Sequence, residues 1–239
     1  MEEIKRGLTS KSFLFTLLAS ALCLAAGAKF GTVTGKLPAN YHASIVMEAM
    51  KSDLWAMGVP ILSVLPWTTA FVEEVNSGYV KFYMLRTRRS TYLWGKAVCA
   101  GLLGGLGVAG GALLNYGLAW IVFSPLEAAA DQGMWGEFLK LLLNTGLVGT
   151  VCALTGAFLA AWLMSNYMAY IAPFVLYYFL IMLVERYFDF LYCIYPREWL
   201  APSHYWGENG WGLTTFLSLL CIGLLLSCVY VMERRLWDV

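Results

Sequence analysis

Charge is scarce in this chain: Asp, Glu, Lys and Arg make up 13% of its 239 residues, against 60% hydrophobic ones. That balance is too apolar for a water-soluble domain, and the chain is too long to be a single membrane anchor. Acids and bases nearly cancel at a net charge of +1, which argues against a nucleic-acid partner. Histidine occurs only as His42 and His204. The six cysteines form no CxxC pair; five of them (Cys23, Cys99, Cys152, Cys221 and Cys228) sit in apolar runs and Cys193 stands alone outside, so no disulfide framework or metal site is expected. A nucleotide loop GxxxxGK[ST] is missing as well. Gly95-Lys96 is followed by Ala97, and Lys11-Ser12 lacks the glycines.

What the chain does have is long apolar runs. A membrane-crossing helix needs roughly 20 mostly apolar residues, and six stretches qualify: Ser12–Phe30, Leu54–Val72, Ala97–Val122, Phe138–Met164, Tyr167–Val184 and Trp211–Met232. None shows the alternating ten-residue pattern of a membrane β-strand. The expected fold is therefore an all-α membrane protein of six transmembrane helices, a single domain over residues 1–239. Placing both termini in the cytoplasm puts ten bases inside (Lys5, Arg6, Lys11, Lys81, Arg86, Arg88, Arg89, Lys96, Arg234, Arg235) and six outside (Lys29, Lys36, Lys51, Lys140, Arg186, Arg197). Positive charge favours the inner side, so this orientation is expected. The first run is read as a retained span rather than a cleaved signal, because five more follow it.

Between the runs, three segments stand out. The N-terminus places Met1, Ile4 and Leu8 on one helical face, with Lys5 and Lys11 off it, the pattern of an interfacial lead-in helix, although a frayed polar tail would also fit. The third run carries GxxxG spacings at Gly101/Gly105 and Gly107/Gly111, which suit either helix packing within the chain or a pore or subunit seam. The outer stretch Glu185–Gly210 is dense in Tyr, Trp and Phe and is broken by Pro196 and Pro202. It reads equally as an interfacial loop or as a segment dipping into the outer leaflet.

The most charged stretch, Phe71–Val98, contains Glu73, Glu74 and five bases. Val75, Tyr79, Phe82 and Tyr83 recur at one-face helical spacing, as expected of a helix lying in the membrane interface. The acid pair also raises an intramembrane metalloprotease, but Gly78 stands where that class has an Arg, and both His42 and His204 fall in predicted outer segments on the opposite side. No GxSG serine motif occurs either. With no partner near either one in sequence, His42 and His204 are read as loop or interfacial residues. Lys96, Lys140 and Glu185 lie at span ends, where their side chains can snorkel to water. Without a clear midplane charge or broken helix, ion-coupled transport is disfavoured.

The order of these parts resembles the membrane subunits of type-2 ABC exporters. It runs from an amphipathic start through two spans to Glu73-Glu74, Gly78, the basic cluster Arg86, Arg88 and Arg89, then Ser90, Tyr92 and Gly95-Lys96 opening the third span. The aromatic outer stretch and the short basic end MERRLWDV match too. One departure is Leu85-Arg86-Thr87-Arg88-Arg89-Ser90, where many relatives carry a Pro. The resemblance implies a non-enzymatic permease subunit of a bacterial plasma membrane, binding no cofactor of its own, with ATP and Mg held by a separate ABC ATPase. A second permease subunit, identical or homologous, would complete the pathway, and membrane lipids would surround it. A coupling helix over Glu73–Tyr83 would rest on the ATPase. Glu73, Glu74, Gly78, Tyr79, Phe82, Arg86, Arg88 and Arg89 would form the coupling surface, although the arginines also fit as topology determinants or lipid contacts. Glu185–Gly210 would be a re-entrant hairpin capping the exit. The implied cargo is amphipathic or hydrophobic, a peptide toxin or bacteriocin before a drug. A sensor or immunity role, lipid export and an intramembrane hydrolase remain alternatives.

Overall fold

The computed structural model describes residues 2–28, 37–84, 88–127, 134–188, 191–207 and 211–237. Met1, Lys29, Phe30, Lys36, Arg86 and Phe190, and the side chains of Glu2 and Tyr83, lie outside the described residues. Among those described, every regular element is helical; one isolated bridge joins Leu37 to Glu127.

The chain opens with α1 (Glu2–Leu8) and α2 (Lys11–Gly27). Between them Ser10 takes extended backbone, and its Oγ accepts the Phe13 N–H at 3.2 Å, so a side-chain cap starts the second helix in a new direction. Next come α3 (Tyr41–Met50) and α4 (Asp53–Leu62), the latter capped in the same way by Ser52 with Asp53 in its first turn. Two short helices, α5 (Ala70–Asn76) and α6 (Tyr79–Met84), precede the long α7 (Arg89–Phe123). After a 3-10 turn at Ser124–Leu126 follow α8 (Met134–Leu163), α9 (Asn166–Tyr187), the short α10 (Pro196–Leu200) and α11 (Trp211–Trp237).

Four helices, α7, α8, α9 and α11, are long and apolar enough to cross a membrane, while α2 and α4 are shorter apolar helices. The surface bears this out: α2 exposes Leu14, Phe15, Leu18 and Leu22, α9 exposes Phe179 and Met182, and α11 exposes Leu219 and Ile222. Outward-facing apolar area of this extent fits helices embedded in a membrane.

The run Leu54–Val72, expected as one span, is broken. Helix α4 stops at Leu62, residues 63–69 are turns, and α5 begins at Ala70. Pro66 within the break has no N–H to continue the ladder and disfavours helical geometry at the residue before it. Even so, the segment runs from one end of the bundle to the other, since Asp53 pairs with Arg197 and Glu74 pairs with Lys96 near the start of α7.

Small residues set the centre of the bundle. Along one side of α7, Gly104 and Gly105 lie against α8; a methyl group on Gly105 would come 2.7 Å from the Gly146 carbonyl, and one on Gly104 would come 2.6 Å from the Ser63 carbonyl. Gly101 faces Leu154 and Thr150 of α8. On the other side Gly107 and Gly111 face Thr16 and Ser20 of α2, where Ser20 Oγ donates to the Gly107 carbonyl and Asn115 Nδ2 to the Ala21 carbonyl at 3.0 Å. Both GxxxG pairs thus meet neighbours within the chain, and α2 runs parallel to α7 while α8 runs antiparallel to it.

A tight reversal joins α8 to α9 at Met164-Ser165, where Met164 takes a left-handed φ of 50° and the Ser165 N–H returns to the Ala160 carbonyl. Helix α11 runs parallel to α8, tied to it by Thr214 Oγ1 donating to Asn144 Oδ1 at 2.8 Å. The starts of α2, α7 and α9 and the ends of α8 and α11 therefore share one end of the bundle.

Candidate functional site: an elbow around a buried lysine

Gly78 sits at φ +71° with nothing within 4 Å of where a Cβ would project. It is required for its backbone, not for space. That left-handed turn divides the stretch expected as one helix over Glu73–Tyr83 into α5 and α6, and it re-aims the side chains. Phe71, Val72, Val75 and Val80 are buried, whereas Tyr79 and Phe82 project outward, 53% and 69% exposed, with ring centroids 6.4 Å apart. Val75 therefore does not share a face with Tyr79 and Phe82.

The two acids part company. Glu73 is exposed. Glu74 turns inward, with Oε1 2.6 Å from Lys96 Nζ and Oε2 accepting the Tyr92 hydroxyl at 2.7 Å. Lys96 Nζ reaches Glu3 Oε2 at 3.0 Å as well, and the lysine side chain is only 1% exposed. The rings of Trp67 and Tyr92 lie 5.5 and 5.8 Å from the ammonium. Lys96 thus does not snorkel to water as expected from the sequence. Helix α7 begins at Arg89, eight residues before the expected span, so Lys96 falls in its second turn beneath α1 and α5. A charge buried this deeply holds its place only with full pairing, and here one ammonium ties α1, α5 and α7 together.

The basic cluster divides likewise. Arg88 is exposed at the N-terminal boundary of α7. Arg89 stacks 4.3 Å over the Trp237 ring and donates Nη2 to the Glu233 carbonyl at 2.6 Å, joining the start of α7 to the end of α11. Beside the elbow opens a cleft of about 780 Å³ lined by Arg6, Trp67, Glu73, Ser77, Tyr79 and Tyr170, among others.

At the opposite end the structure assembles a group that sequence reasoning missed. His42 is buried; its Nδ1 lies 2.9 and 2.8 Å from the two Glu127 oxygens, its backbone N–H donates to Oε1 at 2.7 Å, and Nε2 is 3.2 Å from the Tyr116 hydroxyl. The expectation of an unpartnered loop histidine is corrected. Its partners are 74 and 85 residues away, so no local spacing announces them.

In the outer segment, α10 folds back so that Trp199 and Leu200 join the core. Behind it, Glu198 accepts the N–H groups of Ser203 and His204, the Ser203 hydroxyl and a contact from His204 Nδ1. Burial alone would raise this carboxyl. The hydrogen bonds from Ser203 and His204 outweigh it and hold the group at about 2. His204 Nδ1 lies 3.2 Å from the Ser203 hydroxyl and 3.0 Å from Glu198 Oε1, so one ring nitrogen faces both groups, whereas a hydrolytic relay uses one nitrogen for the acid and the other for the hydroxyl. Among the described residues no group of three or more His, Cys, Asp or Glu is placed to hold a metal.

The long lipid-facing helices make this an all-α membrane-embedded protein. No protein-family model matches the chain, and no curated protein matches it either.

Proposed function

We propose that the chain is the permease subunit of a type-2 ABC exporter, a six-pass protein of the plasma membrane with cytoplasmic termini. The observation that carries the reading is the α5–Gly78–α6 elbow. It presents Glu73, Tyr79 and Phe82 outward while Glu74 and Lys96 fasten its inner face to α1 and α7. A surface with two exposed aromatics beside an acid suits protein docking, and its internal ion pairs would pass a displacement directly to a long helix.

Support for six passes comes from the broken segment Asp53–Asn76, which reaches both ends of the bundle alongside α2, α7, α8, α9 and α11. Lys5, Arg6, Lys11, Lys81, Arg88, Arg89, Arg234 and Arg235 all lie at the elbow end, in keeping with a cytoplasmic placement. In this reading α10 and its flanks cap the exit as a re-entrant segment. ATP closing a pair of partner ATPases would shift the permease dimer between inward and outward states through the elbow. The cargo is amphipathic or hydrophobic, with peptides favoured.

A second reading, an ion-coupled carrier, gains from two features unexpected in the sequence: the helix interruption at 63–69 and the buried Lys96. Reconstitution separates the two. Cargo movement in vesicles driven by ATP and a partner ATPase, and unaffected by collapsing ion gradients, supports the exporter. Movement driven by a proton or sodium gradient without ATP overturns it.

A further inference from the structure

Helices α9 and α11 both pack along α8 but scarcely touch each other, and α10 packs on α8 and α9 beside the gap. Against α10 the gap holds a cavity of about 170 Å³, bounded by Val151 and Cys152 of α8, Tyr177 of α9, Trp199 of α10 and Leu220 of α11. Leu176, Leu180 and Leu224 also line it, and Leu176 is 39% exposed. The cavity is therefore continuous with the lipid-facing surface of α9 and α11.

The donors of this lining are committed within the protein. Thr155 Oγ1 donates to the Cys152 carbonyl at 2.8 Å, the Tyr177 hydroxyl to the Pro196 carbonyl at 3.4 Å and Trp199 Nε1 to the Cys193 carbonyl at 2.9 Å. Cys152 is buried, and a buried thiol behaves as a small hydrophobe. A water molecule needs two to four polar partners, which these walls do not offer; apolar protein cavities of about 150 Å³ stay dry and take up benzene-sized apolar molecules. The wall formed by α10 is fixed on two sides, by Tyr177 on α9 and by the ion pair of Arg197 with Asp53 of α4.

We propose that this cavity binds one acyl chain of a membrane lipid, which enters between α9 and α11 and ends against Trp199. The mouth opens onto hydrocarbon, so an acyl chain is what reaches it, and each methylene that fits should add about fourfold to the affinity. Recognition is of the hydrocarbon, whatever the headgroup. The bound chain supplies the packing that α9 and α11 do not give each other and lies directly against α10. The inference rests on the membrane embedding of these helices and stands or falls separately from the exporter reading.

The test is tryptophan fluorescence of the full-length protein in nanodiscs of phosphatidylcholine, with and without bromine atoms on the acyl chains; bromine quenches an indole on contact. The protein has ten Trp residues, so the Trp199 signal is the difference between the wild-type protein and Trp199→Phe. Although Trp199 is only 5% exposed, the brominated lipid should remove most of that signal. Leu180→Phe and Leu220→Phe extend into the cavity from α9 and α11. Each should lower the quenching of Trp199 severalfold, while the melting temperature and the emission maximum stay near the wild-type values. A Trp199 signal that brominated lipid leaves intact in the wild-type protein overturns the proposal. So does full quenching in both folded cavity-filling variants, or quenching of Trp199 by aqueous iodide, which would mark a water-filled cavity.

Discussion

Lys96 Nζ lies 2.6 Å from Glu74 Oε1, and the lysine is among the most buried side chains of a bundle made mostly of apolar helices. The pair joins the second turn of α7 to α5, and Glu3 extends the link to α1 at 3.0 Å. It turns an adjacent pair of glutamates into one inner anchor, Glu74, and one exposed acid, Glu73.

Removing the ammonium leaves two facing carboxylates with little solvent. Lys96→Met should cost about 3–5 kcal/mol of stability. Glu74→Gln, which leaves Lys96 its bond to Glu3, should cost less, about 1–2 kcal/mol. The double variant Lys96→Met/Glu74→Met should recover part of the Lys96→Met loss. Thermal unfolding in detergent measures all three; a Lys96→Met protein as stable as wild type would mean the ammonium is not buried.

Gly78 bends the elbow through its positive φ. Gly78→Ala should destabilise the turn by about 1–2 kcal/mol, and Gly78→Asn by less because Asn tolerates left-handed backbone. Hydrogen exchange should show faster opening of residues 70–84 with little change in α8 or α11. Uniformly faster exchange across the bundle would argue against a local hinge.

Two glycines of α7 should respond with opposite signs. Gly104 meets the Ser63 carbonyl, so Gly104→Ala forces the broken segment away and should lose about 1–3 kcal/mol. Gly117 has open space around it, and Gly117→Ala should gain up to about 1 kcal/mol from helix propensity. Melting temperatures of the two variants, read against wild type, check the contrast.

Glu198 sets a pH dependence in the outer segment. Its carboxyl is held at about 2 in the fold, against 4.5 for a free side chain. The unfolded form therefore takes up protons first, and the stabilisation present above about 4.5 is lost as pH falls towards 2. Trp199, buried beside it, reports the release of α10 by fluorescence. In Glu198→Gln this acid-induced step should be missing.

The long helices were legible in the sequence because apolar runs of their length have few other fates. The expected ends of the fourth, fifth and sixth spans fall within a few residues of α8, α9 and α11. The break at 63–69 was hidden because hydropathy averages over a window and Pro66 lowers it little; the ring matters through its missing N–H. At the site, the acids were visible but their roles were not. Adjacent helical positions differ by about 100°, which sends Glu73 and Glu74 to different surroundings, yet which one faces inward depends on Lys96, 22 residues away, and on Glu3, 93 residues from that lysine. Likewise His42 meets Glu127 only after α3 docks on the end of α7.

The central claim, that the outer face of the elbow docks an ATPase, is tested most directly by co-purification. With the candidate ATPase co-expressed, Glu73→Lys and the pair Tyr79→Ala/Phe82→Ala should each lower its recovery with the chain by about tenfold or more, while the melting temperature, set by the inner residues, stays near the wild-type value. Full ATPase recovery with both variants would contradict the account.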